Sequence, residues 1–177
     1  QRWVSNTVTD KDFSTIVNGK KRNNPQDPDV GLDMMELTKA RGYEIEQHFV
    51  TTEDGYILTI FRIPGPKGSP PVLLQHGLLD SSYTWVSNYA DESLAYLLAD
   101  SGFDVWMGNN RGNRWGRNHT TLNPDDPDPR FGKVTNPFWQ FSYDQMAIYD
   151  APAMIDYCLK TTGKKSIGWV GHSEGTM

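Results

Sequence analysis

The stretch Trp169-Val170-Gly171-His172-Ser173-Glu174-Gly175 joins a short apolar run to a serine with a glycine two residues to either side. A serine hydroxyl is a weak nucleophile, so hydrolytic enzymes lift it on a tight turn and set a histidine base beside it. Gly-x-Ser-x-Gly suits a strand-to-helix turn of that kind, because side chains at the flanks would strike the neighbouring strand and helix. Ser173 is therefore the candidate nucleophile, with Gly171, His172 and Gly175 supporting the turn. The pentapeptide alone is a weak signal, and its weight depends on what precedes it.

Working outward, residues 166–170 read as the strand that enters the turn. Before it, Ala147, Ala151, Met154, Ile155, Cys158 and Leu159 recur at helical spacing. Pro152 cannot donate an interior helix hydrogen bond, so this helix is expected to start near Asp150, and Gly163 closes it. Residues 103–107 and 72–75 are short apolar runs of the kind that form strands buried on both faces. Residues 94–99 read as a helix stopped by Gly102. Residues 43–50 and 56–63 flank an Asp54-Gly55 reversal and predict an antiparallel hairpin. A short helix over residues 31–41 precedes it, ended by Gly42. Alternating strands and helices after residue 70 predict a mostly parallel sheet with flanking helices, and the hairpin supplies an antiparallel edge. Residues 1–30 read as a polar arm. Residues 109–140 lack regular patterning, and a loop of that length often belongs to a site.

A second turn strengthens the first. His76-Gly77-Leu78 follows a central strand about a hundred residues earlier, where an α/β-hydrolase fold places a loop that gives one backbone N–H to the oxyanion hole. The other donor is the N–H of the residue after the nucleophile, Glu174, at a helix start whose dipole also favours negative charge.

The bulk numbers exclude other classes. The 177 residues carry a net charge of −5, which offers no broad basic surface, and Lys20-Lys21-Arg22 reads as a solvated cluster, so no nucleic-acid partner is expected. No apolar run approaches the ~20 residues of a membrane-spanning helix. Cys158 is the sole cysteine, which rules out an internal disulfide and a thiolate cluster. The acidic run over residues 123–129 lacks EF-hand spacing and reads as a solvated loop, so no metal or other cofactor is expected. Asn118-His119-Thr120 is a glycosylation sequon, relevant if the chain enters the secretory route.

Leu74-Gln75-His76-Gly77-Leu78-Leu79, Asp104-Val105-Trp106-Met107-Gly108-Asn109-Asn110-Arg111-Gly112-Asn113, Phe138-Trp139-Gln140-Phe141-Ser142-Tyr143-Asp144 and Gly171-His172-Ser173-Glu174-Gly175-Thr176 together resemble the acid lipase family. This is the group of gastric, lysosomal and steryl-ester lipases of the α/β-hydrolase fold. The resemblance runs from about Pro28 to Met177. It implies a partial α/β-hydrolase domain over residues 31–177, with a lipase-associated region over about 31–66. It also implies cleavage of triacylglycerols or steryl esters through an acyl-enzyme on Ser173, with the amides of Leu78 and Glu174 as oxyanion donors. His76 and Gly77 then support the oxyanion turn rather than act as bases, because the base of this fold comes later in the chain. Arg111 and Gly112 read as a structural brace.

Two departures shape the expectation. The family usually has glutamine where this chain has Glu174. No Asp or His follows Ser173 in these residues, and the chain starts at Gln1, so the sequence reads as the N-terminal portion of a longer or processed protein, inactive alone. Its expected partners are a neutral lipid or ester substrate, possible contact with a lipid interface, and either the C-terminal remainder or a complementing chain. The alternative reading is a non-catalytic, hydrolase-like accessory subunit completed by a partner. The resemblance implies the secretory route, lysosomal or extracellular, and allows lipid-droplet association.

Overall fold

Val72, Leu73 and Leu74 carry no polar alternation, and such a run is stable only where both sheet faces are covered. The computed structural model describes residues 29–126 and 136–176 and places these three at the centre of a six-stranded sheet. The strands are β1 (Glu46–Thr51), β2 (Tyr56–Ile63), β3 (Pro71–Gln75), β4 (Asp104–Met107), β5 (Asn118–His119) and β6 (Gly168–Gly171). Their order is β1-β2-β4-β3-β6, with β5 paired to the start of β2. β3 runs parallel to β4 and β6, while β1, β2 and β4 alternate in direction. The expected hairpin therefore forms the antiparallel edge, and every residue of β3 and β4 is buried.

The chain divides into two units, Gln1–Asp33 and Met34–Met177. In the first, Leu32 N–H donates to the Asp29 carbonyl at 3.1 Å. The polar arm expected over residues 1–30 lies outside the described residues except for Asp29 and Val30.

The helices of the second unit are α1 (Met34–Ala40), α2 (Leu94–Asp100) and α3 (Ala151–Thr162). Its core is built where Leu58 and Ile60 of β2, Leu73 of β3 and Trp106 of β4 meet Met154 and Cys158 of α3, together with Phe138. Met154 and Cys158 stand one turn apart, so a single stripe of α3 covers the sheet. Each large apolar side chain buried this way stabilises by roughly 1.5–3 kcal/mol. Burial also pushes the Cys158 thiol well above its ordinary pKa, leaving an unreactive core residue.

The helix before the nucleophile turn begins earlier than Pro152 suggests. Tyr143–Gln145 forms one helical turn and Met146–Asp150 a wider π turn before α3 continues, with Pro152 in its first turn. Ser142 and Gln145 form a capping box, in which the Ser142 N–H donates to Gln145 Oε1 at 2.8 Å. Pro152 has no N–H to give to Ile148, and the coil is wide just before it. Gly163 ends α3 in the left-handed conformation, at φ 67°.

The start of the long irregular segment is anchored by one buried cation. Arg111 is 2% exposed, and its Nε donates to Asp150 Oδ1 at 2.9 Å. Its Nη2 donates to Asp54 Oδ1 at 2.8 Å, and its backbone N–H to Asp150 Oδ2 at 2.8 Å. The guanidinium lies 3.9 Å from the centroid of the Tyr56 ring. Hairpin turn, loop and helix are thus tied at one point, and the brace expected of Arg111 is what its contacts describe. Replacing Arg111 with alanine leaves the fully buried Asp150 without its counter-charge. The expected loss is about 3–5 kcal/mol of unfolding free energy, read by urea denaturation. Arg111→Lys should recover only a small part of it, since an ammonium cannot reproduce the two-sided fork.

Candidate active site

β6 and β3 are in parallel register with Gly171 opposite Gln75, and the ladder runs one bond further, from His172 N–H to the Gln75 carbonyl at 3.0 Å. The chain then reverses at Ser173, whose φ of 55° is uncommon for a residue with a side chain. Holding it there costs on the order of 1–3 kcal/mol, which the surrounding bonds must offset. Gly175 N–H donates to the His172 carbonyl at 2.9 Å, Thr176 Oγ1 to the Ser173 carbonyl at 2.6 Å, and Trp169 Nε1 to the Gly175 carbonyl at 3.0 Å. Both glycines sit where a Cβ would overlap backbone. At Gly171 it would stand 2.0 Å from the Gly175 carbonyl oxygen, and at Gly175 2.5 Å from that of Gln75. Ser173 is exposed, and its hydroxyl has no hydrogen-bond partner among the described residues.

The His76-Gly77-Leu78 turn lies against this elbow. A Cβ at Gly77 would be 2.9 Å from Ser173 Cβ and 3.0 Å from the His172 carbonyl oxygen, so only backbone fits between the two turns. Leu78 is exposed, and the N–H groups of Leu78 and Glu174 have no partner among the described residues. The structure thus brings together Gly171, His172, Ser173, Glu174 and Gly175 from one turn and His76, Gly77 and Leu78 from the other. Asn118 is set apart from them, exposed on β5 opposite Ile57.

The histidines are engaged in different ways. His76 is buried, with Nδ1 2.7 Å from the Gly77 carbonyl oxygen. Its Nε2 receives the Asn110 N–H at 3.2 Å and lies 3.1 Å from the Asn113 amide nitrogen. These partners assign the proton to Nδ1. Burial lowers the pKa, against the opposing pull of the Gly77 carbonyl and the Asp80 and Glu174 charges, and so favours the neutral ring. His48 is bonded to Tyr157 and Glu46, and His119 to the Asp54 carbonyl. His172 is exposed in the elbow itself.

The wall of a cleft of about 470 Å³ includes Leu78, Leu79, Trp139, Phe141, Met146 and Glu174. Met146 comes from the π turn, so the widened coil also shapes this wall. Sequence reasoning missed that segment, although Ser142-x-x-Gln145 carries its capping signal. It also missed the asparagines. Asn109 donates from Nδ2 to the Thr59 carbonyl and Ser82 Oγ and accepts from Ser82 N–H, and Gln75 Nε2 donates to Asn110 Oδ1. The run Asn109-Asn110-Arg111-Gly112-Asn113 was the only trace of this network in the sequence.

A serine elbow at the end of a parallel strand, faced by a His-Gly turn from the adjacent strand, defines an α/β hydrolase. Family models agree: a partial alpha/beta-hydrolase lipase region matches residues 34–89, and the alpha/beta hydrolase fold matches residues 70–177. The chain belongs to the alpha/beta-hydrolase family. Among curated proteins it is 47% identical to human lysosomal acid lipase/cholesteryl ester hydrolase over 159 residues, 85% of this chain and 37% of that protein. It is 46% identical to human gastric triacylglycerol lipase, covering 86% of this chain and 38% of the relative. Against Lipase 1 of Drosophila melanogaster it is 51% identical, over 88% of this chain and 33% of that protein. The chain thus spans well under half the length of these relatives. A Pyrococcus furiosus esterase structure superposes with a TM-score of 0.52 at 20% identity, covering 78% of this chain and 45% of that one, a likeness of fold.

The tight contact at the elbow gives a direct test. Gly175→Ala forces a methyl group into the Gln75 carbonyl, and overpacking of this kind costs about 1–3 kcal/mol. A thermal melt should show a lowered midpoint, and an unchanged melt would mean that the turn is looser than its geometry.

Proposed function

We propose that the chain carries the nucleophile and oxyanion hole of a serine ester hydrolase acting on neutral lipid esters, triacylglycerols or steryl esters, through an acyl-enzyme on Ser173. The observation that carries this reading is the Ser173 backbone. A serine held at positive φ, exposed at a strand end and packed against a second backbone turn, has its hydroxyl presented for attack. The N–H groups of Leu78 and Glu174 are the two oxyanion donors. A donor of this kind is worth roughly 2.7–4 kcal/mol in the transition state. Substrate class rests on the relatives, whose names specify triacylglycerol and cholesteryl ester hydrolysis. The same names, gastric and lysosomal, support passage through the secretory route, where Asn118 would serve as a glycan acceptor.

The base and acid come from outside the described residues. His76 is committed to its own turn, and no histidine among the described residues is hydrogen-bonded to the Ser173 hydroxyl. The 177 residues alone therefore lack turnover above the residual level left by oxyanion stabilisation and binding.

A fluorophosphonate probe should label the native protein at Ser173, located by peptide mass spectrometry, and Ser173→Ala should abolish the label. Absence of labelling on the native protein would sink the enzyme reading. The 177-residue chain by itself should hydrolyse a p-nitrophenyl ester at least about a thousandfold more slowly than an intact triad enzyme, and brisk turnover by that chain would refute the missing base. Glu174 places a carboxyl group beside the nascent oxyanion. Glu174→Gln is expected to raise kcat severalfold at neutral pH, and an unchanged or lower kcat would count against an opposing charge.

A further inference from the structure

The cleft, the exposed leucines and the elbow form one site, and the bonds behind His76 reach into it. The Gly77 carbonyl oxygen accepts from His76 Nδ1–H at 2.7 Å and from Asp80 N–H at 3.3 Å. The Gly77–Leu78 peptide is trans, as all are among the described residues. In a planar trans peptide the C=O and the following N–H point in opposite directions. Holding the Gly77 oxygen toward the imidazole therefore turns the Leu78 N–H away from it, on a peptide that already lies against Ser173.

The clamp works only if His76 carries its proton on Nδ1, and that is decided by what faces Nε2. Two donors face it, the Asn110 N–H and the Asn113 side-chain amide. The same Asn113 nitrogen also lies 2.8 Å from Asn109 Oδ1 and 3.4 Å from the Asp80 carbonyl oxygen, so one side chain holds the imidazole, the far end of the oxyanion turn and the asparagine network together. Its Oδ1 serves a separate purpose, accepting the Trp115 N–H at 2.9 Å in its own turn.

We infer that Asn113 is a positioning residue for ester hydrolysis. By donating to His76 Nε2 beside the Asn110 N–H, it reinforces the Nδ1–H tautomer that clamps the Gly77 carbonyl, and so aims the Leu78 N–H into the oxyanion hole. The inference rests on the proposed esterase reading. It assigns His76 and Asn113 a role in the tetrahedral intermediate without contact with substrate. Removing the donor leaves the Asn110 N–H on Nε2 and the Asp80 N–H on the Gly77 oxygen, so the clamp loosens without being lost. This weakens binding of a developing oxyanion and leaves ground-state ester binding alone.

Asn113→Asp separates the two functions of the side chain. It keeps the shape and the oxygen that accepts from Trp115 N–H, as Asx turns allow, and it replaces the amide donor with a carboxylate that draws a proton onto Nε2. The kcat comparison is therefore made at alkaline pH, where the ring stays neutral and that proton must leave Nδ1. In the native protein this variant should melt within about 5 °C of the parent. It should lose about 10- to 100-fold in kcat toward a p-nitrophenyl ester, with KM within about twofold. The inhibition constant of an alkyl trifluoromethyl ketone, whose serine adduct bears an oxyanion, should rise by the same factor as kcat falls. Asn113→Ala, which adds no charge, should behave alike. Failure of the parent to label at Ser173 would bring down the esterase reading itself. A parent that labels, with variants whose kcat stays within twofold or falls only together with a raised KM, would overturn the clamp alone. Loss of folding in both variants would also overturn it, by showing that Asn113 holds up the domain rather than the peptide.

Discussion

The hydrogen bond from His172 N–H to the Gln75 carbonyl is the contact on which the site depends. It continues the β3–β6 ladder one step past the register that ends at Gly171, so the two chains leave the sheet side by side. One leaves into His76-Gly77 and the other into Ser173-Glu174. Because the strands are parallel and adjacent, both turns emerge at the same end of the sheet, which is where open α/β sheets place their sites. Everything tight at the elbow follows from that closeness. Gly171, Gly175 and Gly77 each stand where a side chain would meet backbone or the serine itself.

Around this contact the structure uses polar groups in an unusual place, the interior. Arg111, Asp150, Asn109 and His76 are almost wholly buried, and each finds its partners. A buried ionic or amide group is costly when half satisfied and specific when fully satisfied. Apolar packing could hold residues 109–126 and 136–140 against the sheet in many ways. The forked guanidinium between Asp54 and Asp150, stacked on Tyr56, accepts one arrangement. That arrangement fixes Asn110 and Asn113 behind His76, so the brace and the His76-Gly77 turn are mechanically continuous.

Much of the architecture was legible because it depends on local pattern. The short, mainly apolar runs over 72–75 and 103–107, the Asp54-Gly55 reversal and the apolar stripe through Met154 and Cys158 each reappear as elements of the expected type. The helical lead-in over residues 143–150 was written only in the Ser142-x-x-Gln145 cap, because Pro152 is a strong local stop signal and the π turn that accommodates it has no signature of its own. The polar network was equally hidden. An asparagine in a loop is ordinarily a turn residue, and nothing in Asn109-Asn110-Arg111-Gly112-Asn113 says that its side chains face inward.

The sequence by itself determined the parallel sheet, its antiparallel edge and the identity of the serine turn. Periodicity, glycine spacing and turn residues act over a few positions and are written directly in the chain. Tertiary structure alone decided which groups face one another across that turn. The pairing of Gln75 with Gly171, the union of Arg111 with Asp54 and Asp150, and the tautomer of His76 each join residues far apart in sequence. Such contacts are selected by burial, where a polar group must find a partner or lose several kcal/mol, and no local pattern records which partner it finds.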